Sequence, residues 1–334
     1  MAGETILVTG GAGYVGSHAC LTLAEAGYKV VVYDNFSNGH ERFAKFGEIE
    51  RGDIRDFARL DEVMKKWKPA AVMHFAALIE VSISVREPAS FYDVNVKGAL
   101  TVLEAMRANG VECFVFSSTC ATYGEPQRMP MDETHQQVPL SPYGWSKLMV
   151  EQILKDYRAA YGLRATMLRY FNAAGAAPDH GIGERHEPET HLIPLALYTL
   201  QGRRPSFSIF GSDYATRDGT AVRDYIHVLD LADAHIRALR LLLDGSPGDA
   251  FNLGTGNGST ILEVLAAIES ATGRKVPAKT APRREGDSPA LVANAEKAKA
   301  LLGWVPQRTL EEIVYSAWRW HGGVESQLFA PGRD

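Results

Sequence analysis

The sequence places a tyrosine four residues before a lysine in Ser141-Pro142-Tyr143-Gly144-Trp145-Ser146-Lys147. Ser141 suits a helix N-cap and Pro142 the first helical position, so Tyr143 and Lys147 fall side by side on one helix face. A free phenol, with pKa near ~10, is a poor base at neutral pH. An adjacent ammonium and a helix N-terminus both favour the phenolate. A drop of ~3 pKa units requires roughly 4 kcal/mol of differential stabilisation. Tyr143 is then a candidate proton acceptor for an alcohol. Tyr-x-x-x-Lys arises easily by chance as a surface pair. Here it follows a strand-like run ending in Ser117-Ser118-Thr119, whose hydroxyls can reach the same substrate oxygen.

A second constellation stands near the N-terminus. Val8-Thr9-Gly10-Gly11-Ala12-Gly13-Tyr14-Val15-Gly16 follows a strand pattern and opens a helical one. Gly10, Gly13 and Gly16 form a variant of the dinucleotide fingerprint with its first gap lengthened by one residue. Glycines there allow a tight turn and let backbone N–H groups approach a pyrophosphate at the helix N-terminus. Asp34 ends the next strand, 18 residues beyond Gly16. Its carboxylate suits an adenosine ribose diol and repels a 2′-phosphate, favouring NAD over NADP. The plainer alternative is that Asp34-Asn35 only begins a turn. Asp53-Ile54, after a third strand, is a weaker candidate for holding the adenine.

The elements that must carry these groups alternate. Strand patterns cover Thr5–Thr9, Lys29–Asp34, Glu48–Arg51, Ala71–Phe75, Cys113–Ser117 and Ala165–Phe171. Helical patterns cover His18–Ala26, Leu60–Trp67 and Tyr92–Ala108. Unbroken apolar strands separated by helices predict a doubly wound α/β fold with a parallel sheet covered on both faces. The second half is less regular. Ala173–His191 reads as loop, Asp230–Leu243 as an amphipathic helix, Ala250–Leu253 as a strand, and Ile261–Ala271 and Ala295–Leu302 as helices. The expected organisation is a Rossmann-type NAD-binding domain at residues 1–171 plus about 224–255. A smaller α/β lobe would use about 172–223 and 256–334.

Composition fits a globular enzyme: 334 residues, 46% hydrophobic, 22% charged, net charge −5. The net charge argues against nucleic acid or an anionic membrane as partner. Three cysteines, Cys20, Cys113 and Cys120, lack metal-ligand spacing and read as small buried hydrophobes in a reducing compartment. Neither a signal peptide nor a membrane span is visible, so the expected location is the cytoplasm. Among ten histidines, His74 and His227 stand without spaced partners, and no metal site is expected. Trp304, Trp318 and Trp320 read as packing residues.

Taken together, Gly10/Gly13/Gly16, Asp34, Thr119 and Tyr143/Lys147 resemble the extended short-chain dehydrogenase/reductase family over nearly the whole chain. Arg169-Tyr170-Phe171-Asn172, Val222-Arg223-Asp224-Tyr225-Ile226-His227-Val228 and Ala281-Pro282-Arg283-Arg284-Glu285-Gly286-Asp287 resemble motifs of its UDP-glucose 4-epimerases. The resemblance implies that Tyr143 is the catalytic base, Lys147 binds the nicotinamide ribose and Thr119 holds the sugar O4. It also implies cofactor contacts from Tyr14, Val15, Asn35, Ser37, Asn38, Gly39, Phe75, Ala76, Ala77, Asn95 and Phe171. Asn172, Leu192, Phe210, Arg223, Arg284 and Asp287 would hold the nucleotide sugar. Leu291 falls where relatives vary a residue that limits room for an N-acetyl group, and leucine, intermediate in size, leaves plain and N-acetylated sugars both open. Arginines can fork to phosphate oxygens, and Asp287 can accept from a ribose hydroxyl. Threonine at 119 replaces the more usual serine and keeps the hydroxyl. Two departures withhold a carry-over: Ile79 stands where some relatives have lysine, and His191 where an asparagine often contacts the nucleotide. The implied partner state is a homodimer, pairing helices Tyr92–Ala108 and Ser146–Tyr161 across a two-fold.

Other chemistries fit less well. Nucleotide-sugar 4,6-dehydratases carry Asp-Glu directly after the threonine, and UDP-glucuronate decarboxylases a glutamate at position 121. This chain has Cys120-Ala121. A redox-sensing NAD(P)-binding regulator need not keep Tyr143, Lys147 and Thr119 together.

Overall fold

The computed structural model describes residues 3–284 and 287–329. Glu285 and Gly286 of the third motif string lie outside the described residues.

Seven parallel strands form the central sheet: β1 (Thr5–Thr9), β2 (Lys29–Asp34), β3 (Glu48–Arg51), β4 (Ala71–His74), β5 (Cys113–Thr119), β6 (Arg164–Tyr170) and, much later in the chain, Ala250–Leu253. Their spatial order is β3-β2-β1-β4-β5-β6 followed by the Ala250–Leu253 strand. The order reverses between β1 and β4, which opens the crevice where dinucleotides bind in this architecture.

Side-chain alternation explains why the strands read as unbroken apolar runs. Ile6, Val8, Val30, Val32, Met73 and Val115 pack on one face with the Val228–Leu243 helix. Leu7, Val31, Tyr33, Val72, Phe114 and Phe116 pack on the other, against helices Phe57–Trp67, Gly98–Ala108 and Pro142–Tyr161. With both faces covered, every position of a central strand can be apolar.

The smaller lobe grows from short elements. β7 (Asn172–Ala174) pairs with Tyr225–His227, and Phe207–Phe210 pairs with Ala278–Ala281. A three-stranded sheet joins Ser259–Thr260, Val222–Arg223 and Ala290–Leu291. Helices Leu192–Leu200, Ile261–Thr272 and Leu310–Arg319 enclose a separate apolar cluster with these strands. Both later helices begin with a capping box, at Thr260/Glu263 and Thr309/Glu312.

Several boundaries differ from the sequence reading. The first helix begins at Tyr14, directly on the glycine turn, rather than at His18. Glycines in its first turn mask the helical periodicity. Residues Tyr92–Lys97 wind as a π-helix before Gly98–Ala108 continues as α-helix. The expected loop 173–191 contains the rest of β7 and a 3-10 turn at Pro178–His180. Trp304 and Trp320 are fully buried, as packing residues should be. No described helix is long and apolar enough to cross a membrane.

Candidate active site

The glycine turn is shaped by backbone proximity. Gly10 has φ +73°, and a Cβ there would stand 2.4 Å from the Ala76 amide nitrogen at the end of β4. A Cβ on Gly16 would meet the Gly10 carbonyl oxygen at 2.1 Å. The turn therefore tolerates no side chain at either position. No side chain caps the helix at Gly13, so its first-turn amides remain available to an anion. Asp34 Oδ2 accepts from the Ala12 amide at 3.0 Å and Oδ1 from the Phe36 amide at 2.8 Å. Asp34 thus ties the turn to the end of β2 and also faces the cavity.

That cavity, about 550 Å³, runs along the carboxyl ends of the parallel strands. Gly10, Gly13, Tyr14, Val15, Gly16, Asp34, Asn35, Ser37, Asn38, Gly39, Asp53 and Ile54 line one end. Phe75, Ala76, Ala77, Thr119, Tyr143, Lys147, Phe171 and Asn172 line the rest. The uncapped helix terminus, the carboxylate after β2 and the side-chain-free turn suit an NAD pyrophosphate and ribose. Asp53 reaches the wall with its carboxylate already engaged by Arg55 at 2.7 Å and by Asn35 at 3.0 Å.

Asn95 is not on the wall. It is buried behind it, its side chain accepting from the Leu78 amide at 2.8 Å and donating to the Leu78 carbonyl at 3.0 Å. A further bond to Ser146 Oγ at 3.0 Å ties the Leu78 loop to the helix that carries Tyr143 and Lys147. That helix starts as expected: Ser141 Oγ accepts from the Gly144 amide at 3.2 Å, with Pro142 in the first turn.

Strand alternation separates the three hydroxyls at the end of β5. Ser117 and Thr119 face the cavity, and Ser117 Oγ lies 2.7 Å from the Tyr170 hydroxyl. Ser118 points to the other face and donates to buried Glu151 at 2.6 Å, so it cannot join them on a substrate oxygen. Glu151 in turn pairs with Arg169 at 2.5 Å.

Electrostatics departs most from the sequence argument. Burial pushes the Tyr143 phenol well above its ordinary pKa, and hydrogen bonding to Thr119 only partly opposes this. Burial also lowers Lys147 to about 7, against a smaller opposing pull from Glu151. Lys147 Nζ donates to the Ser117 carbonyl at 2.9 Å. An ammonium removed from water is too costly to ionise its neighbour unaided, so desolvation beats the pairing that the spacing suggested. Cys120 is another correction. It is half-buried and lines the cavity rather than filling the core.

The remaining nucleotide-sugar candidates gather in the smaller lobe, off the wall of this cavity. The Arg284 guanidinium stacks 3.9 Å from the centre of the Phe210 ring. Arg223 pairs with Asp287 at 3.0 Å. Leu291 sits opposite Arg223 in register and packs with Phe171 and Cys120. Arg223 also lies near enough to Cys120 to pull its thiol down, although burial still leaves it up at about 12. This cluster therefore adjoins the Tyr143 end of the cavity. Leu192 instead packs with the apolar cluster of the smaller lobe.

The NAD dependent epimerase/dehydratase family matches residues 6–254. The chain belongs to that family. Of its relatives, the UDP-glucose 4-epimerase of Rhizobium leguminosarum bv. trifolii is 62% identical over 96% of this chain and 98% of its own length. The crystal structure of UDP-glucose 4-epimerase from Brucella ovis in complex with NAD superposes with TM-score 0.94 at 47% identity, covering 96% of this chain and 98% of that one. The Bifidobacterium longum UDP-glucose 4-epimerase, in complex with NAD⁺ and UDP, gives TM-score 0.90 at 37% identity, with coverages of 96% and 98%. In this member of the family, sequence reasoning passed over Glu184 and His186 on the cavity wall and Glu189 beside them, and weighed His191 only as a departure at a nucleotide contact. Their signal was a doubled Glu-x-His within the stretch read as loop.

Proposed function

We infer that this protein inverts C4 of a UDP-hexose, interconverting UDP-glucose and UDP-galactose through a transient 4-keto sugar, with NAD held as a prosthetic group. The observation that carries this reading is the convergence of Tyr143, Lys147 and Thr119 on one cavity, whose far end has the uncapped helix terminus and Asp34. Relatives named UDP-glucose 4-epimerase at up to 62% identity support it.

When bound, NAD⁺ supplies a hydride acceptor and a positive charge beside the phenol. The chain's own groups do the rest. Thr119 holds O4 by its hydroxyl. Tyr143 takes the O4 proton and later returns it. Burial alone pushes this phenol up; the positive charge of NAD⁺, if held by Lys147 and the glycine turn, would favour its ionisation. Lys147, fixed on the Ser117 carbonyl, holds the cofactor ribose. Asn95 positions the Leu78 loop.

Arg223, Arg284, Phe210 and Asp287 would grip the UDP, with Asn172 at the cavity edge. Strong nucleotide binding retains the intermediate while the sugar, loosely held, presents its other face. Leu291, packed against the cluster that contains Phe171, is the residue whose size would bear on the choice between plain and N-acetylated hexoses. Cys120-Ala121 provides neither the acid nor the base that a 4,6-dehydratase requires.

We further propose that the protein works as a cytoplasmic homodimer. The apolar surface of Phe57, Tyr92, Val96, Leu100 and Met149, between the two long helices, supports this. The test of the function is Tyr143→Phe. Turnover of UDP-galactose should fall at least ~10²-fold with NAD still bound, and full activity in the variant would refute the assignment.

A further inference from the structure

We propose that Glu184, His186, Glu189 and His191 bind one divalent transition-metal ion of the zinc class, clipping the loop that borders the dinucleotide cavity. The sequence reading expected no metal. It overlooked Glu184-Arg185-His186-Glu187-Pro188-Glu189-Thr190-His191, in which two Glu-x-His units stand five residues apart.

In the folded chain one donor atom from each of the four lies within 4.8 Å of every other. His186 Nδ1 is 3.5 Å from Glu184 Oε1 and 3.7 Å from Glu189 Oε2. His191 Nδ1 is 3.5 Å from Glu189 Oε1 and 2.5 Å from Glu184 Oε1. Donors ~2.0–2.1 Å from a tetrahedral Zn²⁺ stand roughly 3.4 Å apart. With Glu189 Oε2 as donor, the two separations from His186 Nδ1 are already close to this, and the Glu184–His191 one must open by about 1 Å.

A second observation points to a ligand. Glu184 Oε1, Glu189 Oε2 and both Nδ1 atoms are buried and have only one another as partners, as close carboxylate–imidazole pairs without hydrogen-bond alignment. Glu184 itself is only 3% exposed. Two carboxylates and two imidazoles turned inward on one point, with no donor from outside the cluster on those atoms, leave a cation-sized focus of lone pairs.

The loop is braced for the task. Trp320 Nε1–H donates to the Glu184 carbonyl at 2.8 Å, and the Trp320 ring leaves no room for a side chain at Gly183. Glu189 Oε1 accepts from the Thr190 and His191 amides, each at 2.7 Å. That leaves Oε2 as its free donor.

The chemistry of the set selects the ion. Two imidazoles and two carboxylates in this spacing suit Zn²⁺ or Co²⁺, rather than the all-oxygen shells of Mg²⁺ and Ca²⁺. Four protein ligands leave no open coordination position, which fits a structural ion.

The rival arrangement is an ion-free network in which protonated imidazoles balance the carboxylates. Burial opposes charge on His186, but Glu184 and Glu189 raise it to about 10. Glu184 raises His191 against the same burial. Arg185 and Tyr14 flank the cluster, the Tyr14 phenol pushed up by burial and then by Glu184 and Glu189.

The test uses the full-length protein, dialysed against a chelator and then titrated with ZnCl₂ alone. One Zn²⁺ per chain should survive gel filtration. Thermal unfolding should shift upward on binding. Co²⁺ in the same site should give the intense visible bands of tetrahedral coordination. Glu184→Gln/His191→Asn should retain no stoichiometric metal. If that double variant fails to fold, the Co²⁺ spectrum of the unaltered protein decides. The proposal is overturned if Zn²⁺ does not survive gel filtration, or if a folded double variant binds as much.

Discussion

Removing the charge at Lys147 should make the ligand-free protein more stable while destroying its chemistry. Lys147 is buried, and its pKa falls from 10.5 to about 7. At ~1.36 kcal/mol per pKa unit, holding the ammonium in the folded state costs roughly 5 kcal/mol at pH values below about 7. Between pH 7 and 10.5 the unfolded chain binds more protons than the folded one, so stability rises with pH across that window. Lys147→Met removes this cost and also the hydrogen bond to the Ser117 carbonyl at 2.9 Å, a loss of about 1–3 kcal/mol. The net expectation is a gain of about 2–4 kcal/mol at pH 6–7 that shrinks steadily above pH 7 and reverses between about pH 8 and 10. Urea unfolding of both dinucleotide-free proteins at pH 6, 7, 8, 9 and 10 measures it. A loss of stability at pH 6, or a difference that ignores pH, would refute the idea that the lysine is held there against its solvation.

Other outcomes follow from the same geometry. Thr119→Val should lower kcat by ~10²-fold with NAD retained, because one donor to the reacting oxygen is gone, and Thr119→Ser should keep most of it. Arg223→Met should raise KM for UDP-galactose by roughly 10–100-fold with kcat little changed, as expected for a group that grips the nucleotide equally in ground and transition states. Glu151→Gln should destabilise the fold by about 3–5 kcal/mol in urea, since it strands the buried Arg169 guanidinium. At matched stability it should also push Lys147 further down, seen as a shifted acidic limb in the pH profile. Met149→Glu on the apolar groove should convert a dimer to monomer in sedimentation, and a wild-type monomer would exclude the proposed assembly.

The parts of this protein that sequence could reveal are those where a single local constraint acts. Gly10 and Gly16 must be glycine because backbone atoms stand within 2.4 Å of any added Cβ. The apolar strands reveal themselves because both sheet faces are covered. Ser141 and Pro142 announce the helix start that sets Tyr143 beside Lys147. What escaped depends on distant packing. Whether Ser118 faces substrate or Glu151 is decided by a strand register, not by the hydroxyl. The ionisation of Tyr143 is decided by burial, which residue spacing does not report. Cys120 reaches the cavity because a 3-10 turn at Cys120–Thr122 follows β5. The Glu-x-His pairs look like loop polarity until Trp320, over a hundred residues later, anchors their backbone.

The most direct test of C4 inversion by hydride return uses UDP-galactose carrying deuterium at C4, given to the purified protein without added NAD. The account predicts UDP-glucose with the deuterium retained at C4, because the hydride leaves and returns within one closed cavity. Product in which C4 carries hydrogen from solvent, or no conversion by protein that contains NAD, would contradict it.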